Sequence, residues 1–349
     1  MGYHLGRTAG PGPADLRGAG PAAKMSCVQR ARSHSLTKSS TVGPTGRLDR
    51  HTLLGIAAIV LWSATVALAR SISERLGPLA AGAAVYLLAA GFLGLHCFVP
   101  ERSFRALARF PRRYLFGCGA LFVLYTVALF LALGLAADRH QTIEVGLLNY
   151  LWPALTILFA LGILGQRAGL GLIPGTLLAL GGVFLVLTQG TAVTWTSFAM
   201  NVQRNPVAYG LGVFAAVAWA LYSNLTRRWG GAHGRGAVPL FVLATGVAFW
   251  VGHLLQPEAG TWGMRVAAEV ALLALATGLA YVFWDLAMRA GDVVLVASCS
   301  YFTPFLSTVV SCLYLRVRPG LGLWVGCVLI IAGSLLSWRS IRPTRGTRP

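Results

Sequence analysis

The sequence predicts an all-α membrane protein with ten transmembrane helices, arranged as two inverted repeats of five helices each. Three observations lead to this prediction: an apolar composition, apolar blocks of bilayer length, and an internal repeat. Hydrophobic residues make up 56% of the 349 residues and charged residues only 11%, against roughly 45–50% and about 25% in soluble domains. A soluble fold of this composition would expose large apolar patches and aggregate.

The apolar residues fall into ten blocks, each near the ~20 residues that a helix needs to cross ~30 Å of hydrocarbon. We place the spans at 53–69, 77–98, 114–134, 142–164, 170–187, 207–226, 237–255, 266–287, 293–314 and 321–338. The first five spans form a predicted repeat over 51–190, and the last five form a second over 206–340.

Both ends of the chain differ from these blocks. Residues 1–50 are rich in Gly, Pro, Ser and Arg and contain no apolar stretch, which predicts a disordered basic tail. The same Arg-rich, acid-poor makeup is also typical of an organelle transit peptide, and a later start at Met25 is a further alternative. Residues 341–349 form a short basic C-terminal tail.

The basic residues are unevenly distributed between the two sides of the membrane. With the N-terminus inside, 22 of the 29 Lys and Arg residues lie on the cytoplasmic side of the predicted spans. By the positive-inside rule, both termini are therefore cytoplasmic. Anionic lipid attracts basic residues that flank spans, so the net charge of +19 indicates membrane lipid as a partner and requires no nucleic acid.

The internal repeat relates residues 150–182 to residues 301–333 without a gap, with 12 identities over 33 positions. The matches include Tyr150 with Tyr301, Pro153 with Pro304 and Arg167 with Arg318. Spans four and five thus match spans nine and ten, an offset of five spans. Because five is odd, the second copy enters the membrane from the opposite side, and inverted repeats of this kind are how many transporters alternate access.

Glycine spacing predicts close packing between spans. Pairs at i and i+4 include Gly171 with Gly175 and Gly322 with Gly326. Small residues at this spacing let helix backbones approach each other in lipid, where no hydrophobic drive acts between helices.

Aromatic residues occur at helical spacing within the spans, and we interpret the best placed of them as a cargo site. Trp219 and Tyr222 share one helix face, as do Tyr281 and Trp284. Rings suit flat apolar ligands through stacking and edge contacts, although Trp and Tyr also form interfacial belts. The candidate binding residues are Tyr86, Asn149, Tyr150, Trp152, Trp219, Tyr281, Ser300 and Tyr301. The amide and the hydroxyl of the two non-aromatic members would bind ammonium or carboxylate groups.

Two prolines sit in the middle of predicted spans at matching positions of the repeat. Pro153 and Pro304 each remove a backbone hydrogen bond and bend their helix. Their symmetric placement predicts hinges, and a structural kink in a packed bundle is the alternative.

Acidic residues are rare inside the spans. A carboxylate near the bilayer centre costs roughly 2.5–3.5 kcal/mol on insertion scales and usually has a partner or a task. Glu144 lies near the outer end of span four, and Asp285 lies near the inner end of span eight, one turn from Arg289. We expect both to be shallow enough for hydration and consider them for charge or proton handling.

Sequence motifs for catalysis or metal binding are missing. The six cysteines form no CxxC pair, so neither a metal nor a disulfide is supported. No HExxH, DDxxD-type or GxSxG pattern falls within a span. We therefore predict no catalytic residue, no metal and no cofactor, which leaves an intramembrane enzyme as a remote alternative.

Three stretches carry a family resemblance: LLGIAAIVLWSATVALAR at 53–70, IEVGLLNYLWPALTILFA at 143–160 and SYFTPFLST at 300–308. Together with ten spans in two repeats, they resemble the drug/metabolite transporter superfamily in its EamA branch, and within it the bacterial exporters of aromatic amino acids. The resemblance covers about 53–340.

This resemblance implies a bacterial inner-membrane exporter with ten helices around a central cavity. Its cargo would be Phe, Tyr, Trp or analogues such as methyl viologen. Another metabolite, a cationic drug or a carboxylate transported by the same fold is the alternative.

Overall fold

The computed structural model describes residues 49–101, 110–188, 194–231, 236–315 and 320–342, and nearly all of them are helical. Most of the two predicted tails lies outside these residues. The elements are α1 (Arg50–Leu76), α2 (Pro78–Glu101), a π-helical segment (Arg113–Cys118) that continues into α3 (Gly119–Gly134), α4 (Arg139–Asn149), α5 (Trp152–Ile163), β1 (Arg167–Ala168), α6 (Leu172–Thr188), α7 (Trp195–Arg204), α8 (Pro206–Trp229), α9 (Val238–Leu255), α10 (Met264–Ala290), α11 (Val293–Cys299), α12 (Phe302–Leu315), α13 (Leu321–Arg339) and β2 (Ile341–Arg342).

The prediction of an all-helical membrane protein is confirmed, with one small addition. Within the described ranges, seven helical segments are long and apolar enough to cross a bilayer. Three shorter apolar helical stretches, 50–63, 78–94 and 172–188, coincide with the other predicted spans. The addition is a two-residue antiparallel pairing of β1 with β2, which the apolar periodicity does not signal.

Spans four and nine are each divided into two helices. In span four, α4 ends at Asn149 and α5 begins at Trp152, with Pro153 in its first turn. In span nine, α11 ends at Cys299 and α12 begins at Phe302. Proline lacks the N–H that would bond to the carbonyl four residues earlier. The interruptions therefore fall where the two prolines of the repeat make a continuous helix unfavourable.

A short helix that the sequence reading missed lies between the two predicted repeats. α7 starts at a capping box, in which the Thr194 hydroxyl accepts from Ser197 N at 3.1 Å and the Ser197 hydroxyl accepts from Thr194 N at 2.9 Å. Such a box satisfies two backbone donors at once. Phe198 and Val202 of this helix pack against Tyr209 at the start of α8.

The long helices pack in a consistent set of pairs. α1 packs along α10, and α3 packs along α8. α2 lies against α9, and α6 lies against α13. The divided spans contact the first helix of the other predicted repeat, because α4 and α5 pack on α8 while α11 and α12 pack on α1.

The contact between α6 and α13 depends on glycine. A Cβ added at Gly182 would lie 2.6 Å from Gly326 O, and one added at Gly333 would lie 2.5 Å from Gly175 O. Backbone thus meets backbone along this seam, as small residues permit in lipid. Gly175 and Gly326, singled out by their i, i+4 spacing, both belong to it.

We expect Gly182→Ala to lower the free energy of unfolding by about 1–3 kcal/mol, the usual cost of overpacking. The added methyl group would also press on Ile330 N, 2.8 Å away. The matched control is Gly181→Ala on the next residue, where a Cβ meets nothing within 4 Å. Thermal unfolding in detergent compares the two variants. Equal midpoint temperatures would contradict the close backbone contact between α6 and α13.

Candidate functional site

Seven aromatic rings surround Trp219, which is 1% exposed. The centroid distances from its ring are 4.5 Å to Tyr125, 5.0 Å to Tyr222, 5.7 Å to Trp62, 5.8 Å to Trp284, 5.9 Å to Tyr281, 6.1 Å to Phe122 and 6.3 Å to Trp152. These rings, with Tyr86, are called the aromatic cluster below. All of these distances lie within the range in which aromatic pairs attract each other, since offset and edge contacts are favourable at 4.5–7 Å.

The aromatic cluster draws on helices from both predicted repeats. Trp62 lies on α1 and Trp152 on α5, whereas Trp219 lies on α8 and Trp284 on α10. Trp62 meets the ring of Trp284 at 5.3 Å, and so does Trp152. The cluster therefore joins the two halves of the chain at one place, where any relative movement of the halves changes its contacts.

The polar atoms of the aromatic cluster are only partly hydrogen-bonded. The hydroxyls of Tyr86 and Tyr281 lie 2.8 Å apart, and the Trp284 indole N–H donates to the Ser223 hydroxyl at 3.2 Å. In contrast, Trp219 Nε1 and the Tyr222 hydroxyl are buried and form no hydrogen bond within the described ranges. A buried donor without an acceptor is costly, so these atoms are available to a polar ligand.

The structure brings together four of the predicted binding residues: Tyr86, Trp152, Trp219 and Tyr281 all belong to the aromatic cluster. Tyr301 is buried instead in a second apolar cluster with Ile157, Ala179 and Ile330, and the partly buried Tyr150 packs against that cluster. Tyr301 therefore packs away from the rings around Trp219, whereas Tyr150 packs mainly against the second cluster.

The two non-aromatic candidates are both buried, with different hydrogen bonding. The Ser300 hydroxyl donates to Val296 O in its own helix at 2.8 Å. Asn149 is 8% exposed and lies at the end of α4, beside the interruption of span four. Its Oδ1 accepts no hydrogen bond from the part of the chain that the structure describes.

Glu144 is fully buried, contrary to the expected hydration. Its Oε2 accepts from the Tyr209 hydroxyl and from Asn201 Nδ2, the latter at 3.1 Å. Helix α7 and the start of α8, which the sequence reading did not place over span four, cover this carboxyl. Its Oε1 is buried without a hydrogen-bond partner among the residues described.

Asp285 is also buried rather than hydrated, and it forms an ion pair with Arg289 one turn away. Arg289 Nε donates to Asp285 Oδ2 at 2.7 Å, and each side chain is 1% exposed. The Tyr114 hydroxyl donates to Asp285 Oδ1 at 2.8 Å. Both carboxylate oxygens are thus occupied by the protein.

The described residues contain no group of three or more His, Cys, Asp or Glu side chains that could hold a metal ion. Cys118 and Cys327 are buried free thiols, and Cys299 is a partly buried one.

Sequence reasoning missed several residues that the structure places at these sites. Phe122 joins the aromatic cluster, and the Tyr114 hydroxyl donates to Asp285. Phe122 shares a helix face with Thr126 four residues later, a signal that the sequence prediction did not use. Tyr209 and Asn201 meet Glu144 from 57 or more positions away. Contacts this distant are set by helix packing, and helical spacing gives no sign of them.

Comparison with known proteins places the chain among transporters. The model of the EamA-like transporter family matches residues 50–188. Proteins named aromatic amino acid exporter YddG match over 295 residues, at 40% identity in Salmonella typhimurium and 38% in Escherichia coli K12, covering 84% of this chain and 98% of each relative. The protein of that name in Ancylobacter novellus is 32% identical over 288 residues, covering 82% of this chain and 96% of the relative. A solved crystal structure with 29% identity aligns with a TM-score of 0.69, covering 83% of this chain and 98% of that one.

Proposed function

Because the chain belongs to the EamA-like transporter family, we propose that it exports aromatic amino acids and related aromatic compounds by alternating access. It is a multi-pass inner-membrane protein and a transporter, not an enzyme. Three relatives carry the name aromatic amino acid exporter, and two of them are 38–40% identical over most of the chain.

The aromatic cluster is the observation that carries the choice of cargo. A flat ring that entered between Trp219, Tyr281 and Trp62 would replace ring–ring contacts within the protein by contacts of the same kind with the cargo. The Trp219 indole N–H, which has no acceptor among the described residues, would then donate to the cargo carboxylate.

The arrangement of ten helices in two inverted repeats is part of this proposal. Packing supports it, because exchanging each helix with its counterpart in the other copy turns the most extensive helix contacts into one another. The contact of α1 with α10 becomes that of α8 with α3, and the contact of α5 with α8 becomes that of α12 with α1. A two-fold relation between the copies produces such a pattern.

The interruptions of spans four and nine are the proposed hinges. Pro153 and Pro304 sit just after them, at matching repeat positions. Helix breaks at corresponding places in two repeats are a recurring feature of transporters, and they absorb the backbone rotation when the halves rock.

The other predicted residues keep roles that depend on this movement. Asn149 and Ser300 flank the two interruptions and would bind ammonium or carboxylate groups once the helices part. Tyr150 and Tyr301 would contact cargo only in another conformation. Glu144 would handle a proton when the outer end opens and water reaches its carboxyl. We also propose that both termini face the cytoplasm, on the side with most of the basic residues.

Uptake of labelled phenylalanine and tryptophan into proteoliposomes tests the cargo. We expect uptake above that of empty vesicles for both. Unlabelled metabolites, cationic drugs such as methyl viologen, and carboxylates added as competitors separate the alternatives. Lack of stimulation by every aromatic amino acid would refute the proposed cargo.

An imposed pH gradient in the same vesicles tests Glu144. If the carboxyl handles a proton, Glu144→Gln should abolish any response to the gradient and preserve exchange of cargo at equal pH. A variant that keeps the response of the native protein would remove Glu144 from this role. The control is Asp138→Asn, which removes an exposed carboxyl from the cap of the same helix and keeps a good capping residue.

A further inference from the structure

A buried polar connection joins three elements at the end of the helices where α10 finishes. Asp285 links Arg289 on its own helix to Tyr114 on the π-helical segment before α3. The Tyr114 hydroxyl also accepts from Ala237 N at 3.1 Å, and Arg289 Nη1 donates to Gly231 O at 3.4 Å. Gly231 and Ala237 both lie in the connection between α8 and α9.

Close packing shows that Gly230 and Gly236, at the two described ends of the α8–α9 connection, lie against this ion pair. A Cβ added at Gly236 would lie 2.1 Å from Asp285 Oδ2 and 3.0 Å from the Tyr114 hydroxyl. A Cβ added at Gly230 would lie 2.6 Å from Arg289 Cδ. Glycine at these positions lets the backbone lie directly on the charged groups and exclude water from them.

We propose that Tyr114, Asp285 and Arg289 form the latch that closes the cytoplasmic end of the transporter. The hydrogen bond from Tyr114 ties the first predicted repeat to the second, which contributes both Asp285 and Arg289. Opening this end requires that bond to break and the contacts of Gly231 and Ala237 with Arg289 and Tyr114 to separate. The inference rests on the alternating access proposed above, and it adds the contact that holds one state.

The chemistry of the ion pair makes the latch two-state. When the cytoplasmic end is fully closed, the carboxylate and the guanidinium are paired. When it is fully open, water solvates both charges. Between these states, a carboxylate would be buried without all its partners, which is strongly unfavourable. The latch therefore favours complete closure or complete opening, as alternating access requires.

Native Cys118 reports on the latch without any cargo. It is a buried free thiol four residues after Tyr114, in the same π-helical segment. The experiment uses the full chain in nanodiscs, with Cys27, Cys97, Cys299, Cys312 and Cys327 replaced by Ser. The rate of modification by N-ethylmaleimide measures how often water and reagent reach the closed end.

We expect Tyr114→Phe to raise the rate of Cys118 modification about fivefold, the factor that one net hydrogen bond contributes. The double variant Asp285→Asn with Arg289→Gln, which leaves no unpaired charge, should raise it at least as much. The matched control is Arg265→Gln with Glu269→Gln, an i, i+4 pair at the other end of the same helix in which the Arg265 side chain is 67% exposed. The amide at position 269 can still accept from the Ser71 hydroxyl, so the rate should stay unchanged.

A second background that retains Cys327 in place of Cys118 separates opening from unfolding. Cys327 is buried in α13, away from the latch, and its modification should stay constant in every variant. An unchanged Cys118 rate would overturn the latch. A parallel rise at both thiols would also overturn it, because the pair would then be a general stabiliser. Neither result depends on which cargo is carried, so failure of the proposed cargo is a separate outcome.

Discussion

Trp219→Ala should raise the half-saturating concentration of phenylalanine and tryptophan by at least about tenfold. One aromatic contact is worth up to ~1.5 kcal/mol beyond burial, and 1.4 kcal/mol corresponds to a factor of ten in affinity. Trp219 has more ring neighbours than any other member of the aromatic cluster. A cargo ring bound in this cluster would therefore lose more contact energy on replacement of Trp219 than on replacement of any other single ring. Concentration-dependent uptake into proteoliposomes measures the effect.

A matched pair of Trp→Phe variants separates cargo binding from stability. Trp219 and Trp284 are both buried members of the aromatic cluster, and each would lose the same atoms. Only Trp284 uses its indole N–H, as donor to Ser223 at 3.2 Å. We expect Trp284→Phe to cost about 1 kcal/mol more in unfolding free energy, with little further effect on half-saturation.

Trp219→Phe should have the opposite profile. Its indole N–H has no hydrogen-bond acceptor within the described part of the chain, so removing it costs little stability. A lost hydrogen bond to a carboxylate is worth roughly 1.5–3 kcal/mol, which raises half-saturation about tenfold or more. Equal effects of the two variants on uptake would contradict a cargo-binding role for the Trp219 N–H.

The sequence predicts the spans well because a bilayer imposes a length and a polarity on each one. Proline chemistry also predicts where spans four and nine are interrupted, since Pro153 and Pro304 remove backbone hydrogen bonds whatever surrounds them. The capping box of α7 is visible only as Thr194 and Ser197, a pattern too short to predict a helix in a polar segment.

The candidate site is predicted less completely because its contacts depend on how helices face one another. Helical spacing identifies Trp219 and Tyr281 within their own helices, and the structure brings them together. Repeat symmetry suggests that Tyr301 is equivalent to Tyr150, yet Tyr301 is fully buried in the second cluster and Tyr150 is not. Symmetry relates backbones, and side chains in the two copies have diverged.

Burial of Glu144 and Asp285 shows a further limit of sequence reasoning. Position near a span end predicts hydration only where nothing lies over that end. Helix α7 covers Glu144, and Gly236, between α8 and α9, packs against Asp285. Both covering segments are polar stretches whose placement is determined by packing.

Asp285→Ala should lower the free energy of unfolding by about 3–5 kcal/mol, the cost of leaving one member of a buried ion pair without its partner. Arg289 would remain with its side chain 1% exposed and the acceptor of its Nε removed, and the Tyr114 hydroxyl would lose its acceptor at the same time. Unfolding by denaturing detergent in mixed micelles measures the change, and lower cellular abundance should accompany it.

The double variant Asp285→Asn with Arg289→Gln should be far less destabilised than Asp285→Ala. It removes both charges. Because the mutual attraction of a buried ion pair largely offsets the cost of its desolvation, replacing the pair by neutral side chains that still form hydrogen bonds should cost little stability. Glu269→Gln is the counterpart at a solvated cation, since it removes a charged partner of Arg265, whose side chain is 67% exposed, and keeps an acceptor for the Ser71 hydroxyl. Water solvates that guanidinium when its partner is gone, and little stability should be lost. If Asp285→Ala also lowered the free energy of unfolding only slightly, water would reach Arg289 in the closed state. The ion pair would then not act as the latch.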